Sequence, residues 1–233
     1  MQEIFEMDPA SRSDFIALIS PERFSRYQQA AQGDEARAIA LYCWNMRVGQ
    51  SLWVSLQCWE IAFRNQMDRF LRWKYNAGWP YDERRFVRNL TKGDERRLAE
   101  TKSRQERDRK ASPVSTSVIV ADLSVGFWVS LLSKRYDVPY QWRYNLSRIF
   151  PQDRSLDRHA AWDKSTKILN LRNRVAHHEP IYHLPLPQLH ADLHHLLGAM
   201  SGTALEFAEA SCNFKEVWEL WHPPMAPTSG ETG

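Results

Sequence analysis

The chain has 233 residues, of which 43% are hydrophobic and 25% are charged, and its formal net charge is +3. This composition excludes collagen-like, low-complexity and disordered proteins, and a chain of this length can bury a sizeable core. There is no apolar run near 18 residues and the N-terminal segment MQEIFEMD is acidic, so we expect neither a membrane span nor a secretory leader, and a cytoplasmic location.

Helical spacing is clearest between Asp34 and about Tyr75, where Pro and Gly are almost absent. Large apolar residues recur there at intervals of three or four: Leu52, Leu56, Trp59, Phe63, Met67 and Phe70. This spacing predicts one long amphipathic helix, with a break near Gly49 left open. The segment NAGWPYD at 76–82 predicts the end of that helix, and a second helix is predicted over about 92–110.

The middle of the chain predicts a loop at 111–117, whose Ser and Thr can cap one buried helix over 118–136. Residues 137–155 contain two prolines, which predicts a loop with one or two short helices. A further helix is predicted from Leu156 to His178, ending before Pro180. Its core-facing residues are predicted to be Trp162, Ser165, Ile168, Leu169, Leu171 and Val175.

A last long helix is predicted from Pro187 to about Glu209. Its apolar face is predicted to comprise Leu189, Leu193, Leu196, Leu197 and Met200. No strand alternation and no repeat of fixed period is found, so the predicted fold is an all-α helical bundle. Residues 1–221 are expected to form a single domain, and the tail at 222–233 is expected to be disordered because it is poor in large apolar residues.

Basic residues concentrate between Arg84 and Lys110, a segment that contains eleven Lys or Arg and only five Asp or Glu. Such a patch favours a polyanion partner, and we take Arg96, Arg97 and Arg104 as a candidate RNA-binding patch whose charge reversal should leave folding unchanged. A solvated helix with internal salt bridges would give the same pattern, so both interpretations stay open.

The segment LRNRVAHHEP at 171–180 concentrates cation, amide and imidazole groups. At about 100° per residue, Asn173 and His177 share a helix face and Arg172 lies at its margin. An imidazole in the last helical turn can exchange a proton near neutral pH, and an arginine suits phosphate. This set meets the needs of RNA cleavage by its own 2'-hydroxyl, without a metal or cofactor. Helix capping or ion pairing would also explain it.

The segment LRNRVAHHEPIY resembles the R-x(4–6)-H motif of the HEPN superfamily of prokaryotic ribonucleases. The chain is similar in particular to its Abi-like branch, which is associated with abortive phage infection. Three other segments support this resemblance: LWVSLQCWEIAFRNQM at 52–67, ADLSVGFWVSLLS at 121–133, and Phe150 with Pro151. Val125 departs from the pattern, since an aromatic residue is usual there. The resemblance covers about residues 40–185 and implies a HEPN-type helical bundle with additional helices.

The resemblance assigns residues as well as a fold. It implies that Arg172, Asn173 and His177 are catalytic. It also implies supporting or RNA-contacting roles for Glu60, Arg64, Asn65 and His178, although a structural ion pair between Glu60 and Arg64, and a structural role for His178, stay open.

The implied function is a metal-independent endoribonuclease that acts as a toxin or antiphage effector. Because HEPN ribonucleases place two motifs face to face, the resemblance implies a homodimer, and an antitoxin protein or regulatory RNA would be a further partner. The alternative is a non-catalytic HEPN module that binds RNA, nucleotide or a protein partner.

Other chemistry is weakly indicated. His190 and His194 are four residues apart and could bind a metal from one helix face, but no Cys or acidic residue completes the set, so no metal site is predicted. The three cysteines, Cys43, Cys58 and Cys212, are too widely spaced to indicate a disulfide framework.

Overall fold

The computed structural model describes residues 7–220, and no strand is formed within that range. The all-α prediction is therefore confirmed. The helices of this range are α1 (Pro9–Ile19), α2 (Pro21–Ala30), α3 (Glu35–Lys74), α4 (Lys92–Arg109), α5 (Thr116–Asp122), α6 (Val125–Ser130), α7 (Asp137–Tyr140), α8 (Trp142–Asn145), α9 (Arg158–Ala176), α10 (Leu186–Met200), α11 (Gly202–Ser211) and α12 (Phe214–Leu220). None of these helices has the length and apolar composition needed to cross a bilayer. The tail predicted to be disordered, 222–233, lies outside the described residues.

The described chain divides into two compact units. The first comprises residues 7–54, 172–186 and 212–220, and the second comprises residues 55–171 and 187–211. Helix α3 therefore contributes its N-terminal half to the first unit and its C-terminal half to the second. The single domain expected over residues 1–221 stays a prediction.

The first unit packs α2 and the N-terminal half of α3 around aromatic rings. The ring of Tyr27 lies with its centroid 5.1 Å from that of Tyr42 and 5.4 Å from that of Tyr182. Helix α3 continues through Gly49, so the break considered there does not occur. A Cβ at Gly49 would lie 3.6 Å from Cγ1 of Val175, which is ordinary contact, so packing between the two segments is close at this point.

The second unit contains most of the predicted apolar stripe of α3. Leu56, Trp59, Phe63, Met67 and Phe70 are all at most 1% exposed, as the spacing predicts. Each such side chain contributes about 1.5–3 kcal/mol to stability when fully buried. The predicted apolar face of α10 is confirmed as well, since all its members are buried: Leu189, Leu193, Leu196, Leu197 and Met200.

A buried carboxylate in the first turn of α4 bonds to residues elsewhere in the second unit. Asp94 is 3% exposed and accepts hydrogen bonds from the hydroxyls of Thr91 at 2.8 Å, Ser130 at 2.8 Å and Tyr136 at 2.6 Å. Thr91 caps the N-terminus of α4, because its hydroxyl accepts a hydrogen bond from the Asp94 amide at 3.2 Å. The predicted helix over 92–110 is thus confirmed, and its start is explained by this cap.

Two predicted long helices are interrupted. The helix predicted over 118–136 is wrong as a single element, because Leu123 and Ser124 are extended, with ψ of 129° and 148°, between α5 and α6, and because α6 already ends at Ser130. The helix predicted over Pro187–Glu209 is interrupted at Ser201, whose hydroxyl accepts the Ala204 amide at 3.3 Å and so starts α11. Both breaks create new helix starts at serine, a residue that favours that position.

Candidate active site

The proposed motif lies where α9 ends. Helix α9 ends at Ala176, so the prediction that it continues to His178 is wrong by two residues. The His177 amide still donates to the Asn173 carbonyl at 2.9 Å, which keeps these two residues one helical turn apart on the same side. Asn173 is half-buried and His177 is exposed.

A Schellman motif explains why the helix stops there. His178 has φ of 56°, in the left-handed region that glycine usually occupies at this position. The His178 amide donates to the Val175 carbonyl at 3.1 Å, and the Glu179 amide donates to the Arg174 carbonyl at 2.8 Å. The last carbonyls of α9 are therefore bound, and the chain turns sharply directly after His177.

The backbone of this turn is fastened by side chains of the first unit. The side chain of Asn45 is 5% exposed, and its Oδ1 atom accepts hydrogen bonds from the backbone amides of Ile181 at 2.7 Å and Tyr182 at 3.2 Å. Its Nδ2 atom donates to the Glu179 carbonyl at 3.4 Å. One buried side chain thus binds three backbone groups of the segment that follows His177.

Two arginine side chains also donate hydrogen bonds to the backbone of the turn. Arg23 of α2 donates to the His178 carbonyl at 3.3 Å, and Arg174 donates to the Pro180 carbonyl at 3.3 Å. Arg174 also lies 3.5 Å from the Glu179 carboxylate. Every carbonyl from His178 to Pro180 therefore accepts a hydrogen bond, and the backbone that follows His177 is held in place.

Arg172 is half-buried and lies next to an aromatic ring. Its Cζ atom is 6.0 Å from the centroid of the Trp53 ring of α3, at the outer limit of a cation–π contact. The permanent charge of Arg172 thus lies near an aromatic ring, five residues before an exposed imidazole in the chain. Such a set can stabilise negative charge on a phosphoryl oxygen and exchange a proton.

A cavity of about 690 Å³ opens beside this turn, wholly within the first unit. Its lining is mainly apolar and aromatic, and it also includes an arginine, an asparagine, a glutamine, a histidine and a glutamate. The lining residues on which the geometry depends are Tyr42, Met46, Gln50, Trp53, Ala176 and His178. Tyr27 also lines it, and burial raises the pKa of that phenol well above its ordinary value, so it adds no charge.

The other residues of the predicted site lie in the second unit, on the C-terminal half of α3. Glu60 is half-buried and Asn65 is exposed. The Nη1 atom of Arg64 donates to the Ala121 carbonyl at the end of α5 at 3.3 Å. The geometry therefore gives Arg64 a structural contact within its own unit.

The candidate RNA-binding patch on α4 consists of arginines that already contact acids. Arg97 lies 3.0 Å from buried Asp94, and Arg104 lies 2.7 Å from Asp122. Arg96 lies 3.7 Å from Glu100, with both side chains mostly exposed. For Arg97 the structure changes the expectation that charge reversal leaves folding unchanged, because a glutamate there would face a buried carboxylate and should lower stability.

The histidine pair on α10 has protein neighbours of its own. The rings of His190 and His194 have centroids 4.0 Å apart. The Nε2 atom of His194 is 3.1 Å from the Ser55 hydroxyl, and its Nδ1 atom is 3.8 Å from the Glu209 carboxylate. These contacts give both ring nitrogens of His194 a structural role in the second unit.

No family model, curated protein or solved structure matches this chain.

Sequence reasoning missed Asn45, Arg23 and Trp53, which shape the site. Asn45 could have been recognised from the sequence, because it is a polar residue at helical spacing between the apolar residues Leu41 and Val48. Such a residue is buried only when its hydrogen bonds are satisfied, which predicts a partner from another segment. Arg23 and Trp53 left no comparable signal, because arginine and tryptophan are common at the edges of helical cores.

Proposed function

We propose that this protein is a metal-independent endoribonuclease of the HEPN type and of its Abi-like branch, acting as a toxin or abortive-infection effector against phage. The observation that supports this most is the set of Arg172, Asn173 and His177 at the end of α9, followed by a turn whose backbone is fully hydrogen-bonded. A fixed turn supports catalysis, because a proton-transfer group must be held within a few tenths of an ångström.

The proposed reaction uses the substrate's own nucleophile. The 2'-oxygen attacks the adjacent phosphorus, the bond to the 5'-oxygen breaks, and the products carry a 2',3'-cyclic phosphate and a 5'-hydroxyl. His177 moves a proton, Arg172 stabilises charge on the phosphoryl oxygens, and the Asn173 amide orients the phosphate. One proton leaves the 2'-hydroxyl while another reaches the leaving 5'-oxygen. The simplest arrangement has two imidazoles, one acting as the base and the other as the acid. This is the reason to propose a homodimer that joins two α9 ends.

The test is RNA cleavage by the purified protein in excess EDTA. Cleavage should persist, and His177→Ala and Arg172→Ala should each slow it by about a hundredfold or more, the scale of losing a positioned acid, base or electrostatic donor. His159→Ala is the matched control, since His159 is exposed in the first turn of the same helix and should leave the rate unchanged. Loss of cleavage in EDTA, or folded alanine variants that cut at the parent rate, would refute the proposal.

A second candidate function is supported by the cavity. A non-catalytic module that binds RNA or a nucleotide would need a concave, mainly apolar site of roughly 300–1,000 Å³, and the 690 Å³ cavity lies in that range. The same assay separates the two, because a binding module would retain RNA without shortening it.

A further inference from the structure

We infer that the cavity beside α9 is a base subsite, which receives one nucleobase of the RNA, stacked on Trp53, next to the scissile phosphate. The inference rests on the proposed ribonuclease function and adds to it the part of the substrate that sets sequence preference.

The position of Trp53 supports this inference. Its ring is part of the cavity wall, and the same ring lies 6.0 Å from Cζ of Arg172. A base placed against Trp53 inside the cavity would therefore bring its own phosphate towards the guanidinium of Arg172. A stacked base and a bound phosphate are the two contacts by which single-stranded nucleic acid is generally held.

The order of residues along the turn places His177 next to the cavity. Ala176 and His178 line the cavity, whereas His177 between them does not. The imidazole proposed to transfer protons thus stands at the rim of the cavity rather than inside it. A base within the cavity and a ribose-phosphate at the rim would match this arrangement.

The polar residues of the cavity lining supply both donors and acceptors. Gln50 and Arg23 are exposed and offer N–H donors, and Glu179 and the Gln50 amide oxygen offer acceptors. A nucleobase has both donors and acceptors on its edge and could bond to the remaining hydrogen-bonding capacity of these groups, whereas an acyl chain or an aliphatic side chain has neither. The wall of Tyr42, Trp53 and Met46 supplies the apolar and aromatic faces that a planar ring requires.

The first experiment measures binding of the four nucleoside 5'-monophosphates to the full-length protein by isothermal titration calorimetry. At least one should bind, and Gln50→Trp, which narrows the cavity, should weaken that binding about tenfold or more, as should Trp53→Leu, which removes the stacking ring. Gln57→Trp is the matched control. Gln57 is an exposed glutamine two turns further along the same face of α3 and does not line the cavity, so its variant should bind like the parent.

The second experiment measures base preference on a pool of random RNA. The parent should prefer one or two bases at a single position beside the cut, and Gln50→Trp should lose that preference while Gln57→Trp keeps it. Gln50 is exposed, so its variant should fold, and a thermal unfolding scan checks this for Trp53→Leu.

The outcomes separate the two proposals. If the parent cuts RNA but no monophosphate binds, or if Gln50→Trp changes neither binding nor preference, the base subsite is refuted and the ribonuclease stands. A different result would be that a monophosphate binds, both cavity variants weaken that binding, and the parent cuts no RNA. This result would refute the ribonuclease, and with it the role of the cavity as a subsite for RNA that is cleaved.

Discussion

Replacing Asn45 by alanine should destabilise the protein and loosen the turn that follows His177. The Asn45 side chain is 5% exposed and binds the Ile181 amide at 2.7 Å, the Tyr182 amide at 3.2 Å and the Glu179 carbonyl at 3.4 Å. Alanine offers none of these atoms. Three backbone groups would lose their partner at once.

The magnitude follows from how deeply each of those groups is buried. A buried polar group left without a partner costs about 1–3 kcal/mol, and the Ile181 amide meets this condition because Ile181 is 1% exposed. Tyr182 is half-buried and Glu179 is exposed, so water can replace part of their lost bonds. We expect the free energy of unfolding to fall by about 2–4 kcal/mol in total.

The assay is urea denaturation followed by circular dichroism, combined with RNA cleavage under conditions where the variant stays folded. Asn45→Asp keeps the oxygen that accepts both amides, so its loss of stability should be smaller than that of Asn45→Ala. Asn170→Ala, an exposed asparagine of α9, serves as the control and should change stability by no more than about 0.5 kcal/mol. An Asn45→Ala variant that matches the parent in stability would refute the argument that this side chain fixes the turn.

The remaining predictions concern the second unit, the basic helix and assembly. Burial, with the hydrogen bond to Asp94, raises the pKa of Tyr136 to about 12 from 10.0, so its contribution to stability is complete below pH 10 and is lost as pH rises towards 12. Tyr136→Phe should cost about 1–3 kcal/mol at neutral pH and remove part of that alkaline loss in a pH series of urea melts. Arg97→Glu should cost about 1 kcal/mol or more, because it faces Asp94, whereas Arg107→Glu, exposed on the same helix, should be close to neutral. If α4 contacts RNA, both variants should make RNA affinity less dependent on salt concentration. An unchanged salt dependence would mean that these arginines only keep the helix surface solvated. Light scattering should show a homodimer at micromolar concentration, and a monomer that retains cleavage would contradict the assembly prediction.

The long helices could be predicted from sequence because their apolar spacing extends over many turns. Helices α3 and α4 fall within about a residue of their predicted bounds. The breaks at Leu123 and Ser201 could not be predicted, since one or two extended residues hardly disturb the spacing and depend on packing that sequence does not reveal. Helices α1, α2 and α12 were not predicted, because each is short and offers few apolar residues from which a period can be recognised.

The candidate site was predictable in part. The proximity of Asn173 and His177 follows from helical spacing alone, and the structure has the same arrangement. The end of α9 was placed two residues too late, because a histidine in left-handed conformation gives no signal comparable to glycine. The cavity was not predictable at all, since its wall combines α2, α3 and the turn after α9, which are far apart in the sequence.

The end groups of the RNA products test the central claim most directly. The purified protein should be incubated in EDTA with an RNA and with its counterpart that carries 2'-deoxyribose throughout, and the products should be analysed by mass spectrometry. The account predicts 2',3'-cyclic phosphate and 5'-hydroxyl ends from the RNA, no cleavage of the deoxy counterpart, and loss of both products in His177→Ala. Products with a 5'-phosphate, cleavage of the deoxy counterpart, or no cleavage without added metal would contradict it.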